Sequence, residues 1–287
     1  MEQKLFSVLP MSQRFSLEAG HTYQGSIIIS NSVNATEDFA YIVKIAPYSI
    51  IGDGYTTDFA TTGPYTVITD WITIENPTGI LKPNEHHTVN FTIIVPENAP
   101  AGGQYAAIVV SEDENATTTS DNVTVKNILE LASVIYADVT GITTRSGEIL
   151  DNEIPGFSFT NSATVATTIK NTGNVHQSAF ISIKVTNLIT GETIFPVADE
   201  RDKFEEIVMP ESTRTLARTV DNLPPLGAVK ISQTVYFDDQ ISENESVLLI
   251  CPLWFIALVA FTIMSIILAF IIRQKRRHRV ARIKYHF

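Results

Sequence analysis

Cysteine is nearly absent from this chain. The 287 residues hold one, Cys251, inside an apolar stretch, so no disulfide braces what precedes it. Palmitoylation there is disfavoured, because the cysteine would sit at the outer side of the bilayer. Helical periodicity is almost missing before residue 247, which argues against a helix bundle. Catalytic motifs are missing too. There is no GxSxG elbow, no Walker loop, no GxGxxG opening a helix, and no HxH, HExxH or Cys pair. A hydrolase is therefore the least favoured class, and neither a cofactor nor a metal is implied. Positive charge is scarce until the last fifteen residues. Those hold seven of the 20 Lys/Arg, leaving 13 against 31 Asp/Glu over residues 1–272, a net of −18.

One long hydrophobic run stands out. Val247–Ile272 is 26 residues without a charge, and as a helix it would reach about 39 Å, enough to cross a hydrocarbon core of roughly 30 Å with some tilt. Trp254 and Tyr285 suit interfacial positions. The cations Arg273, Lys275, Arg276, Arg277 and Arg279 suit the cytoplasmic side, where they meet anionic headgroups rather than nucleic acid. The positive-inside rule then places 273–287 in the cytoplasm and 1–246 outside; a tail-anchored cytosolic protein is the competing topology. An outer domain needs export, and MEQKLFSVLP lacks the apolar core of a signal, so the expectation is that a signal was removed or the start lies upstream.

Residues 1–246 suffice for two cores. Tyr23–Asn31, Asp38–Pro47 and Thr88–Pro96 alternate apolar and polar residues, as half-buried strands do. Gln104–Ser111 alternates less and reads as a central strand buried on both faces. Pro96 and Pro100 stop a strand and Gly102–Gly103 permits a sharp re-entry. Later, Ala132–Val139 and Ala163–Lys170 read as strands, Ser146–Ile154 as a polar turn, and Thr190–Gly191 as a hairpin tip. The spacing predicts an all-β chain of two tandem Ig-like antiparallel β-sandwiches, residues 1–131 and 132–246, then a transmembrane helix at 247–272 and a basic tail. SEDENATTTSD (111–121) is expected as a mobile loop, and SENES (242–246) as a short stalk.

Other candidates have plain explanations. His86 and His87 are adjacent, so a strand points them to opposite faces. Asp238–Asp239, and Asp53 between two glycines, are candidates for a weak calcium site, although no EF-hand loop is present. Lys44 and Lys184 lie mid-strand, where an isopeptide bond to an Asn competes with an outward-facing lysine. Sequons at Asn34, Asn90, Asn115, Asn122 and Asn244 are as frequent as an Asn- and Thr-rich chain supplies.

Leu17–Asn31, Leu81–Val110 with its AGGQY, and above all NTGNVH (171–176) followed by the TGE hairpin resemble the WxL-interacting protein family of bacterial surfaces. The resemblance implies a peptidoglycan-binding-type domain, a host-binding-type domain, a membrane helix and a basic tail. It implies a non-enzymatic, wall-associated adhesion scaffold whose partners are a surface protein, peptidoglycan or another glycan. An accessory or chaperone-like subunit of an envelope assembly is the alternative. No ligand-binding residue carries over from the resemblance.

Overall fold

The computed structural model describes residues 6–52, 55–113, 129–195 and 204–284. By contacts the chain divides into two units. The first is Met1–Glu148 with Ile169–Ser178 and Ile207–Thr215; the second is Ile149–Thr168, Ala179–Glu206 and Leu216–Phe287.

Among the described residues, eleven strands come first: β1 Phe6–Leu9, β2 Ser12–Leu17, β3 Thr22–Asn31, β4 Phe39–Pro47, β5 Ser49–Ile51, β6 Thr56–Asp58, β7 Ile72–Ile74, β8 Thr78–Leu81, β9 His86–Ile94, β10 Gly102–Glu112 and β11 Glu130–Val139. They form a sheet β1-β3-β9-β7 facing a sheet β2-β11-β10-β4-β8, with β5 and β6 as a separate hairpin. Alternation builds the core between the two sheets. Ile27 and Ile29 of β3 and Phe91 and Ile93 of β9 meet Val43 of β4, Ile108 and Val110 of β10 and Ile135 of β11. Gly25 makes room for this packing, since a Cβ there would lie 2.2 Å from the Phe91 ring. β10 lies between two partners and is buried on both faces, as its weak alternation predicts.

β11 corrects the sequence reading. Residues 132–139 were expected to open the second sandwich. Instead β11 pairs antiparallel with β10 from Gly102↔Val139 to Ser111↔Glu130, and its other edge pairs parallel with β2. Its run LASVIYADV suits either sandwich by pattern; register against β10 decides.

Nine strands follow: β12 Gly147–Glu153, β13 Phe157–Ser158, β14 Ala163–Asn171, β15 Gln177–Asn187, β16 Thr193–Phe195, β17 Phe204–Val208, β18 Thr213–Val220, β19 Gly227–Phe237 and β20 Gln240–Ile250. They form a sheet β12-β14-β18 and a sheet β13-β20-β19-β15-β16, with β17 also on β15. Gln233 of β19 donates its amide to the Thr167 hydroxyl of β14, and that hydroxyl donates to Asn152 Oδ1 at 2.8 Å, so these sheets face one another. The expected hairpin forms at Gly191, with φ of 72°. Two expectations fail here. The supposed polar turn at 146–154 contains β12, and SENES is no stalk, because β20 pairs with β19 along Phe237↔Gln240 to Gly227↔Ile250.

The two sandwiches repeat one device. In the first, Asn31 N–H donates to Glu85 O (2.9 Å) and its side-chain amide to Leu81 O (3.1 Å). In the second, Asn171 N–H donates to Ser212 O (2.9 Å) and its amide to Val208 O (3.0 Å). Each accepting turn carries a proline, Pro83 or Pro210, followed by a residue at positive φ, Asn84 at 64° or Glu211 at 54°. A buried asparagine thus pins the same kind of turn twice.

After β20, Cys251–Pro252 lead directly into α1, Leu253–Lys284. The helix starts later than position 247, because Val247–Ile250 pair in β20. Leu253–Gln274 is 22 residues, about 33 Å long, and its 18-residue apolar stretch has a mean hydropathy of 2.9 with none of that stretch buried. That is long and apolar enough to cross a membrane once.

Candidate functional site

The outward face of the five-stranded sheet is apolar and aromatic. Tyr136 of β11 stands opposite Tyr105 of β10, with ring centroids 6.0 Å apart and rings at 72°; Tyr48 packs edge-on to Tyr136 at 5.8 Å. Such edge-to-face contacts place a positive ring edge against a negative ring face. Two segments of the same unit cover this face. His176 lies 5.3 Å from the Tyr136 ring centroid and 5.7 Å from that of Tyr105. Met209 N–H donates to Tyr55 Oη at 2.9 Å, and Tyr55 Oη donates to Ile207 O at 2.7 Å. The Arg214 guanidinium stacks 4.5 Å above the Tyr55 ring, a cation–π contact.

Burial has a chemical consequence here. Desolvation pushes the Tyr55 hydroxyl up to about 12. It also raises Tyr105 and Tyr136, with the Asp138 charge adding to the shift at Tyr105 and a hydrogen bond with Tyr48 adding at Tyr136. All three stay neutral at physiological pH and act as apolar rings with hydrogen-bonding tips.

Beside His176 lies a recess of about 250 Å³ lined by Arg14, Ser16, Tyr136, Asp138, Arg145 and His176, among others. Register explains its composition. Arg14 of β2 stands opposite Tyr136, and Ser16 opposite Asp138. Asp138 sits between two nitrogen groups, Arg145 at 3.6 Å and His176 Nδ1 at 3.5 Å. The Arg145 distance marks charge proximity rather than a made hydrogen bond, and the imidazole adds to it only when protonated. The His176 backbone N–H donates to Tyr105 Oη at 2.8 Å, fixing the imidazole over the tyrosines. A second recess, about 200 Å³, opens where Tyr48, Tyr65 and Tyr105 meet Thr61, Thr62 and Glu211. Aromatic faces beside hydroxyls and a carboxylate suit a polar ligand with an apolar face.

The NTGNVH segment holds these walls in place. Asn174 Oδ1 accepts from Thr144 N–H (2.7 Å), and Asn174 O accepts from Gly103 N–H (2.8 Å). A Cβ on Gly173 would lie 2.2 Å from Thr144 O, so only glycine fits. The segment that carried the family resemblance is therefore structural in part, and it delivers His176.

The other sequence candidates fall elsewhere. Arg273 ends the apolar span exposed, while Lys275, Arg276, Arg277 and Arg279 follow in α1 with side chains outside the described residues. His87 Nδ1 lies 3.2 Å from Tyr41 Oη, while His86 is exposed. Asp238 and Asp239 form the β19–β20 turn, and Asp53 lies outside the described residues. Among the described residues no three His, Cys, Asp or Glu come together as metal ligands. Lys44 and Lys184 are exposed on their sheets, as outward-facing lysines are. Asn34 and Asn90 are exposed and Asn244 is half-buried; Asn115 and Asn122 lie outside the described residues, as does most of the expected 111–121 loop.

Among the described residues the fold is two β-sandwiches and one membrane-length helix. No protein-family model matches the chain, and no curated protein does. Solved structures similar to it include a chain from a chaperone–tip adhesin complex of CFA/I fimbriae, 13% identical over 86% of this chain and 99% of that one, with a TM-score of 0.40. A chain of the CsuC–CsuE chaperone–tip adhesion subunit pre-assembly complex of Acinetobacter baumannii is 14% identical over 85% and 98%, TM-score 0.40. The YadV chaperone is 9% identical over 85% and 99%, TM-score 0.39. No functional residue is transferred from likenesses this distant.

Proposed function

We propose that this chain is a non-enzymatic, membrane-anchored binding protein of a bacterial surface. In this reading α1 spans the bilayer with its basic end in the cytoplasm, and both β units stand outside. The observation that carries the binding role is the recess beside His176. Two guanidiniums, an imidazole, two serine hydroxyls and the Asp138 carboxylate converge there on a tyrosine-walled sheet, an arrangement of several donors around one acceptor that suits carboxylate or hydroxyl groups of a partner protein or wall glycan. This agrees with the scaffold role that the resemblance to WxL-interacting proteins implies.

Capture of envelope components by the full solubilised chain tests it. Arg14→Glu with Arg145→Glu exchanges two exposed cations for anions without touching the core. The captured partner should weaken by about tenfold or more, the usual scale for reversing charges at a recognition site. Equal capture by the variant would move the binding site elsewhere, and no capture by either form would argue against a binding role.

A different observation favours an accessory role in envelope assembly. Among the described residues β2 ends its sheet, so its outer backbone edge is placed to add a strand from a client protein. That role predicts loss of another surface protein when this chain is deleted.

A further inference from the structure

One end of the second unit is apolar where a water-facing loop region is ordinarily polar. Phe157, Phe159, Leu188, Ile189, Leu226 and Leu249 are between 39% and 78% exposed. The ladder brings them to one level. Phe157 stands opposite Leu249, which also stands opposite Ala228, and Leu188 N–H donates to Ala228 O at 3.1 Å. The Phe157 and Phe159 rings touch edge to face at 4.8 Å. A Cβ on Gly227 would lie 3.5 Å from Ile189 Cδ1.

This rim lies at the end of the sheet from which α1 departs. Gly227 pairs with Ile250, the last residue of β20, and only Cys251 and Pro252 separate that strand from the helix. Three extended steps span at most about 11 Å, so the helix must begin within that distance of the rim. Cys251 N–H donates to Ser158 O at 2.9 Å, which carries the strand pairing one residue further and fixes the exit. Trp254, exposed in the first turn, is a residue type that favours the interface.

Charge completes the picture. Segments 153–162, 187–192, 221–228 and 249–253 contain no Lys, Arg or His; their charged residues are Glu153, Glu192 and Asp221, all exposed. Attraction to anionic lipid is therefore not the force at this end. Large apolar residues elsewhere on this unit's surface, such as Ile241 at the opposite hairpin, do not have a membrane helix rooted beside them.

We propose that this rim is a lipid-seating surface. Phe157, Phe159, Leu188, Ile189 and Leu226 enter the headgroup layer of the outer leaflet and hold the second unit upright on its own anchor. The inference rests on the reading of α1 as a membrane span. A two-residue connection alone would leave the unit free to tilt; an apolar rim beside it supplies the further points of contact.

The test uses the full chain in phosphatidylcholine vesicles, with Cys251→Ser and one fluorophore-bearing cysteine at a time. Ile189→Cys reports the rim, Ile241→Cys the opposite end of the same unit, and Leu258→Cys the helix. Lipids carrying a shallow nitroxide should quench the 189 probe about threefold more than the 241 probe, with little change when anionic lipid is added. Quenching at 258 but not at 189 overturns the seat and leaves the anchor standing. Equal quenching at 189 and 241 also overturns it, since the unit would then lie flat. No quenching at 258 removes the anchor, and the seat with it.

Discussion

Asn171→Leu should cost the protein about 3–5 kcal/mol, a large part of the 5–15 kcal/mol that holds a typical domain folded. Asn171 is fully buried. Its amide donates to Val175 O (2.8 Å) and Val208 O (3.0 Å), and its Oδ1 accepts from Gly173 N–H (2.9 Å) and Gln177 Nε2 (2.7 Å). Leucine is similar in size but leaves those four groups without this partner. Each buried orphan costs about 1–3 kcal/mol, and local relaxation recovers part of the sum. Asn31→Leu should cost less, because the Asn31 side chain makes two such bonds, to Glu37 O and Leu81 O. Thermal and urea unfolding of the full chain in detergent measures both. A change below about 1 kcal/mol at Asn171 would mean that the latch is not what holds this turn.

The second large effect concerns α1. Ile263→Lys with Ile267→Lys places two cations in the middle of the apolar span. A lysine at a helix centre opposes insertion by about 2.5–3.5 kcal/mol, whereas each Leu, Ile, Phe or Val favours it by only about 0.3–0.6 kcal/mol. Two lysines therefore offset most of what the span provides. The wild-type chain should stay in the pellet after alkaline carbonate extraction, and the double variant should move largely to the supernatant. Retention of the variant would mean that something other than α1 holds the chain to the membrane.

How much of this was legible in the sequence depends on the range of the interaction that decides each element. Alternation in 23–31, 38–47 and 88–96 marks strands because half-burial is local and periodic, and the resulting strands β3, β4 and β9 lie where it places them. The near-uniform β10 and the turn at Gly191 are equally local. Residues 247–250 misled because Val-Leu-Leu-Ile reads alike as a buried strand and as lipid-facing helix. Pro252 was the available signal, since proline is tolerated in a helix only within its first turn. SENES looked like a stalk because its residues are polar, yet β19 beside it supplies the ladder. The sandwich to which β11 belongs is a matter of long-range register, which composition does not encode.

The candidate site was illegible for the same reason. Arg14, Asp138, Arg145 and His176 come from separate segments, and none is unusual in its local context. Two strand registers and the turn at Gly173 bring them together. The motif NTGNVH was visible, but its meaning was divided: Asn171, Gly173 and Asn174 hold the walls, and His176 faces the recess.

The central claim is that a lipid-embedded rod separates an outer pair of β units from a cationic inner end, and site-specific labelling of intact cells tests it most directly. In a Cys251→Ser background, Thr73→Cys and Glu243→Cys place thiols on exposed positions of the two units, and His278→Cys places one in the basic tail. The account predicts that a membrane-impermeant maleimide labels 73 and 243 on intact cells whose wall admits it, and reaches 278 only after permeabilisation. Labelling of 278 on intact cells with 73 and 243 protected would invert the topology and contradict the account.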